Sequence, residues 1–221
     1  MSRAAPLLDA TVGKKAVMAV TGLILFGFVV AHMIGNLTAY LGPESMNAYA
    51  EWLRELLHGA GLWIARYVLI LAVIFHVWSA VSLTIDNRKA RPVGYRTRRR
   101  WVESTYASRT MVWSGPLLAV FIVYHLLHLT TGTVHPGFVE GDVYRNFVTG
   151  FRVLPVSAFY ILAMLALGLH LYHGVWSMLQ TLGLSHPRWN SLRKAFATGV
   201  TAVVVVGNIS FPIAVLLGMI R

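Results

Sequence analysis

The chain contains no cysteine. This excludes disulfides, zinc ribbons, thiolate-held iron–sulfur clusters and the covalent haem attachment of a C-x-x-C-H run. Acidic side chains are scarce too: eight Asp and Glu stand against nineteen Lys and Arg in 221 residues, a net charge of +11. Charged residues make up only 12% of the chain and hydrophobic ones 57%, the profile of an integral membrane protein rather than a soluble domain. An excess of positive charge can mark a nucleic-acid binder. Here the basic residues are confined to short connections between apolar runs, which is a membrane-orientation pattern, so no nucleic-acid partner is expected. Met1 to Thr11 offers no short apolar run with a small-residue cleavage site, and no cleaved signal peptide is expected.

What the chain has in abundance is long apolar stretches. Five of them, roughly 16–40, 61–85, 110–133, 153–180 and 195–220, reach the ~20 residues that cross ~30 Å of hydrocarbon. The expected fold is all-α and integral to the cell (inner or plasma) membrane: one domain, residues 1–221, with five transmembrane helices in a bundle. Lys and Arg are distributed unevenly over the connections. Arg3, Lys14 and Lys15, then Arg88, Lys89, Arg91, Arg96, Arg98, Arg99, Arg100 and Arg109, then Arg188, Arg193 and Lys194 fall on one side. Arg54, Arg145 and Arg152 fall on the other, mixed with Glu44, Glu51, Glu55, Glu140 and Asp142. That asymmetry places the N-terminus in the cytoplasm and the C-terminus outside. In the first outer connection Ser45 can cap a short amphipathic helix through Met46, Tyr49, Leu53, Leu56 and Leu57. The fifth span carries Asn208, Ser210 and Pro212, which predict packing, an interhelical hydrogen bond from Asn208 and a kink near Pro212.

Four of the spans carry a histidine deep in apolar sequence: His32, His76, His125 and His170. An ionisable group in hydrocarbon costs at least ~2.5 kcal/mol by most estimates. By helical rise, His32 lies ~25 Å and His125 ~22 Å from the cytoplasmic edge, while His76 and His170 lie ~15 Å and ~16 Å from it. They sort into an outer pair and an inner pair, separated by roughly 8 Å on this reckoning. Two imidazoles from two helices at one depth form a bis-imidazole site able to hold a b-type haem without covalent attachment. The competing reading is a haem-free proton channel or transporter built on a histidine relay. Such a relay gains from intramembrane Asp or Glu, and the five spans contain none. Depth does not choose between His125 and His128, or between His170 and His173, because each pair is three residues apart on nearly one helix face. The spare histidines, with Lys15, Arg66 and Arg109, are candidates for contacts to haem propionates or to a quinone; the alternative for a spare histidine is a simple hydrogen bond to a neighbour. His58, His135 and His186 fall in connections and are expected to be solvated.

Several runs together resemble a known family. They are Lys14-Lys15-x-x-Met18-Ala19-x-Thr21-Gly22-Leu23 leading to His32-Met33-x-Gly35-Asn36-Leu37; Asn47-x-Tyr49-Ala50; Phe75-His76-x-x-x-Ala80; Ser114-Gly115-Pro116 leading to Tyr124-His125; and Phe159-Tyr160-Ile161 followed by His170-x-x-x-Gly174-x-Trp176. In order and spacing these resemble the single-chain, five-helix, two-haem cytochrome b membrane anchor of succinate:quinone oxidoreductases. The resemblance implies that His125 rather than His128, and His170 rather than His173, are the haem ligands. It also implies His32 with His125 on the outer haem b and His76 with His170 on the inner haem b.

The same resemblance implies the partners: a flavoprotein carrying FAD and an iron–sulfur subunit on the cytoplasmic face, the lipid bilayer, and a membrane quinone, menaquinone in many two-haem members. The chain would not oxidise succinate itself but would carry electrons to the quinone. Glu51, Glu55 and His58 on the outer side, or Lys15, Arg109 and His173 on the inner side, are candidate proton donors to that quinone. A fumarate reductase anchor, another diheme quinone oxidoreductase anchor, and a purely structural role for haem are the related alternatives.

Overall fold

The computed structural model describes residues 10–90 and 106–221. Arg3, Arg91, Arg96, Arg98, Arg99 and Arg100, which contribute to the charge asymmetry, lie outside the described residues, as does most of the N-terminal segment.

Among the described residues the regular structure is entirely helical. Helix α1 spans Thr11–Asn36 and tightens into a 3-10 turn at Leu37–Leu41. Helix α2 follows at Pro43–Glu55, α3 at Ala60–Lys89 and α4 at Tyr106–His125, the last ending in a wider turn at Leu126–Thr130. Then come α5 at Val143–Arg152, α6 at Leu154–Thr181 and α7 at Asn190–Leu216. Among the described residues five helical segments are long and apolar enough to cross a membrane: Thr11–Leu41, Ala60–Lys89, Ala107–Thr130, Leu154–Thr181 and Pro187–Leu216. The chain is an all-α, multi-pass membrane protein. Its spans start earlier than hydropathy suggests at α1 and α7, because helical backbone continues through Lys14 and Lys15 and through Arg193 and Lys194 after apolarity ends.

Helix α2 begins at Pro43 in the first turn, behind Gly42 at φ 102, so glycine and proline chemistry rather than a Ser45 cap sets its start. Glu44 in its first turn and Arg54 in its last complement the helix dipole. Helix α5 has no counterpart in the sequence-based expectation. Its cap is Asp142, whose side chain accepts the Arg145 N–H at 3.0 Å. Phe147, Val148 and Phe151 on its inner face are buried.

Helix α1 packs antiparallel on α3, and an ion pair of 2.6 Å between Lys14 and Asp86 joins their ends. Helix α4 packs on α6, and α6 also packs on α1 and on α7. The apolar core concentrates near the α2 and α5 end, where Met33, Met46, Phe121, Phe147, Phe151, Tyr160, Met164 and Phe211 meet. Close helix approach depends on glycine there. A methyl group on Gly35 would fall 2.5 Å from Cε1 of Tyr49, and one on Gly207 would fall 2.5 Å from Sδ of Met33. Large apolar side chains exposed along α3, such as Trp63, Ile64, Tyr67 and Ile70, suit a lipid-facing surface.

The polar residues of α7 behave differently from expectation. Asn208 donates to the Val204 carbonyl of its own helix at 2.8 Å, not to a neighbouring helix. A short amide one turn from a carbonyl satisfies itself locally. The interhelical bond comes from Tyr40, whose hydroxyl donates to Ser210 at 2.7 Å.

Candidate functional site

One histidine from each of α1, α3, α4 and α6 meets a partner, two by two, across the bundle. The ring centres of His32 on α1 and His125 on α4 are 5.8 Å apart, with their planes at 85°. Those of His76 on α3 and His170 on α6 are 6.2 Å apart, at 54°. These partners come from helices that do not pack closely on each other: among the described residues α1 lies against α3 and α6, and α4 against α6. The pairs therefore span the diagonals of a four-helix arrangement, and imidazoles fill the space between.

The spacing can be compared with what a shared metal ion demands. A metal–imidazole nitrogen bond is about 2 Å and the ring centre lies about 1 Å behind the nitrogen, so two imidazoles on opposite sides of one ion stand about 6 Å centre to centre. Both pairs match this. Among the described residues no group of three or more His, Cys, Asp or Glu is placed to hold a bare metal ion. A porphyrin, which provides four nitrogens itself, would need only two imidazoles from the protein.

Cross-helix hydrogen bonds hold three of the four rings. Nδ1 of His76 is 3.2 Å from the Thr21 hydroxyl on α1. The Thr21 proton is directed at the Val17 carbonyl, 2.7 Å away, so its oxygen is placed to accept from Nδ1–H of His76, a ring that also hydrogen-bonds the Met18 backbone. Nδ1 of His170 is 3.4 Å from the Ser114 hydroxyl on α4. Nδ1 of His125 is 3.3 Å from the Tyr160 hydroxyl on α6. His32 makes no hydrogen bond within the described residues; its ring stacks on Phe28 at 5.3 Å. Metal-ligating histidines commonly fix their free nitrogen by such a second contact.

These bonds also set the vertical register. Thr21 is level with His76, and Ser114 with His170, while eleven residues separate Thr21 from His32 and Ser114 from His125. At 1.5 Å per residue the two pairs lie about 16 Å apart along the bundle, twice the separation read from hydropathy. Hydropathy locates the helix ends only where apolarity stops, whereas the hydroxyl contacts tie the levels directly. Helices α1 and α4 thus serve both pairs, each supplying a ring at one level and a supporting hydroxyl at the other.

His128 stands apart from these pairs. It is 1% exposed, with Nδ1 3.0 Å from the Tyr160 hydroxyl and its ring stacked on Tyr124 and on His135. His135, expected in solvent, is instead 6% exposed and bonds the Asn146 carbonyl through Nε2 at 2.9 Å. It is enclosed because α5, which the sequence reading lacked, folds over the connection that carries it. His58 and His186 are exposed as expected, and His186 accepts the Arg188 N–H at 3.2 Å.

The remaining candidates are dispersed. His173 is half-buried one turn from His170, Lys15 and Arg109 are exposed near the Lys14 end, and Arg66 is exposed with its guanidinium 4.8 Å over Trp63. Glu51 and Glu55 are exposed on α2. The supporting hydroxyls of Thr21 and Ser114 carry no signal in the sequence, since a Ser or Thr hydroxyl in an apolar helix usually bonds its own backbone, and Tyr160 reads there as one more aromatic of an apolar run.

The family described as succinate dehydrogenase/fumarate reductase transmembrane subunit matches residues 86–208. That stretch contains His125 and His170 but neither His32 nor His76. The chain is also similar to the succinate dehydrogenase cytochrome b558 subunit of Bacillus subtilis (strain 168), 24% identical over 189 residues that cover 84% of this chain and 85% of that one. No solved structure matches it.

Proposed function

Because the chain belongs to the succinate dehydrogenase/fumarate reductase transmembrane subunit family, we propose that it is the cytochrome b anchor of a succinate dehydrogenase and holds two b-type haems. One would lie between His32 and His125, the other between His76 and His170. The observation that carries this reading is the meeting of four intramembrane imidazoles in two pairs, each with ring centres about 6 Å apart. The succinate direction, rather than fumarate reduction, is favoured by the similarity to the Bacillus subtilis subunit.

A b-type haem so held supplies one-electron chemistry, with its potential set by the axial imidazoles and their hydrogen bonds. The protein's part is to fix ring orientation and keep water out. Thr21 and Ser114 hold His76 and His170 with Nδ1 occupied, which leaves each Nε2 for iron. Phe28 and Phe121 pack against His32 and His125 and make their surroundings apolar. With the N-terminus in the cytoplasm, the His76 and His170 level is nearer the cytoplasmic face, where a flavoprotein and an iron–sulfur subunit would dock. Electrons received there would leave to a quinone in the membrane, menaquinone in this reading.

The test is a reduced-minus-oxidised spectrum of the purified complex with a haem-to-chain ratio. Two b-type haems per chain are expected. A colourless protein would sink the reading and leave the channel alternative; one haem per chain would remove the second site. Succinate–quinone reductase activity of the assembled complex, measured in both directions, tests the direction of flow.

A further inference from the structure

We propose that Tyr160 and His128 form a positioning relay that orients His125 and tunes the site it shares with His32. This rests on reading His32 and His125 as an axial pair.

Proton accounting gives the relay a direction. If Nε2 of His125 faces iron, its Nδ1 carries hydrogen and donates to the Tyr160 oxygen, 3.3 Å away. The phenolic proton then needs an acceptor, and Nδ1 of His128 is 3.0 Å from the same oxygen. His128 therefore carries its own hydrogen on Nε2. A phenol that donates its proton becomes a better acceptor, so His128 strengthens the bond from His125 through Tyr160.

The relay is rigid because each member is held. Tyr160 is 6% exposed and packs edge-on against Phe121 and Phe151 at 5.0 and 4.9 Å. His128 is clamped between Tyr124 and His135, with ring centres at 5.5 and 4.8 Å. His135 donates to the Asn146 carbonyl, and the Asn146 side chain is itself bonded twice to the Val139 backbone, at 2.9 and 2.7 Å. Fixed groups thus run from the α5 connection to His125. The other level has a different arrangement: His76 and His170 rest on aliphatic hydroxyls, with no further imidazole behind those hydroxyls in hydrogen-bond contact among the described residues.

An acceptor on the free nitrogen makes a ligating imidazole more basic, which favours oxidised iron. Removing it should raise the potential of this haem alone. The experiment is potentiometric titration of both haems in membranes containing the assembled complex, with Tyr160→Phe as the variant. The component belonging to this level is identified as the one missing from His125→Ala.

At fixed ambient potential the reduced-to-oxidised ratio of that component should rise about threefold to tenfold, tenfold corresponding to about 59 mV for one electron. The other component should stay in place. Loss of this haem alone would count in favour, since phenylalanine retains the ring and only the hydroxyl has gone. Unchanged potentials with two haems bound, or equal shifts in both, would overturn the relay.

Should Tyr160→Phe not accumulate, His128→Leu and His128→Gln decide. Leucine should shift the same component in the same direction, and glutamine, which restores an acceptor, should return it toward the original value. Equal behaviour of the two would overturn the proposal. Retention of two haems by His125→Ala is a separate result: it would sink the axial-pair reading itself.

Discussion

Thr21 and His76 are joined across α1 and α3 by a hydrogen bond of 3.2 Å in which Thr21 is the acceptor, its own proton being directed at Val17. Thr21 thereby provides, beside the Met18 backbone, an acceptor for a histidine 55 residues away. Thr21→Val keeps the shape and removes the acceptor. Loss of such a supporting contact typically costs about 10- to 100-fold in metal affinity. The expected result is weakened retention of the His76 and His170 haem during detergent washing, with the other haem unaffected and with Thr21→Ser restoring the original behaviour. Equal retention of both haems in Thr21→Val would show that the hydroxyl does not support the site.

Each pair should fail independently. His76→Ala and His32→Ala are expected to lower the haem-to-chain ratio from two to one, each removing a different spectral component. The double variant should carry none. Distance is the reason: the levels are about 16 Å apart along the bundle, beyond the range at which neighbouring side chains couple strongly. A ratio that stays at two in either single variant would remove that histidine from the ligand set.

Much of this arrangement was legible in the sequence because hydrocarbon is a severe filter. It admits few ionisable groups, so His32, His76, His125 and His170 stood out against apolar backgrounds, and length alone located their helices. Depth was less legible, because charge marks where apolarity ends but not where the helix does. Lys14 and Lys15 sit inside α1, and Asp86 sits inside α3 paired with Lys14. The α5 helix was hidden by its brevity and by its polar face toward Arg145 and Arg152. With it went the burial of His135, which depends on a tertiary fold that no local pattern records.

Gly150 is where α5 meets the buried imidazoles. A methyl group there would fall 2.7 Å from Cε1 of His128 and 3.1 Å from Nε2 of His135. Neither ring has room to yield, since both are buried and stacked on each other. Gly150→Ala should therefore destabilise the protein by about 1–3 kcal/mol, the usual cost of overpacking a filled core. A thermal melt of the detergent-purified complex would show a lower midpoint; an unchanged midpoint would mean that α5 shifts without penalty.

The Lys14–Asp86 pair invites the opposite expectation. Its 2.6 Å distance is short, but the Asp86 side chain is 39% exposed and shares its charge with water and salt. A double-mutant cycle with Lys14→Met and Asp86→Asn should give a coupling below about 1 kcal/mol, falling further in high salt. A coupling several times larger would mean that this end of the bundle is shielded from solvent, as a docked partner subunit would make it.

At the other end, Asp142 gives the fold an acid-sensitive joint. Its carboxylate accepts the Arg145 N–H at 3.0 Å and an Asn47 Nδ2–H at 3.1 Å, and these bonds hold its pKa below the ordinary 3.8, with the Arg145 backbone contact the largest cause. A depressed carboxylate pKa contributes stability that is complete above the unfolded value and disappears as pH falls through the folded one. The window therefore lies below pH 4, and no change is expected between pH 5 and pH 8 from this group. Amide exchange of the first turn of α5 should accelerate in the acid window in the native protein. Asp142→Asn, which keeps an acceptor but has no proton to gain, should flatten that dependence, and Asp142→Ala should exchange fast at every pH. A native protein whose α5 amides ignore acid while Asp142→Ala exchanges normally would show that the cap does not hold this helix in place.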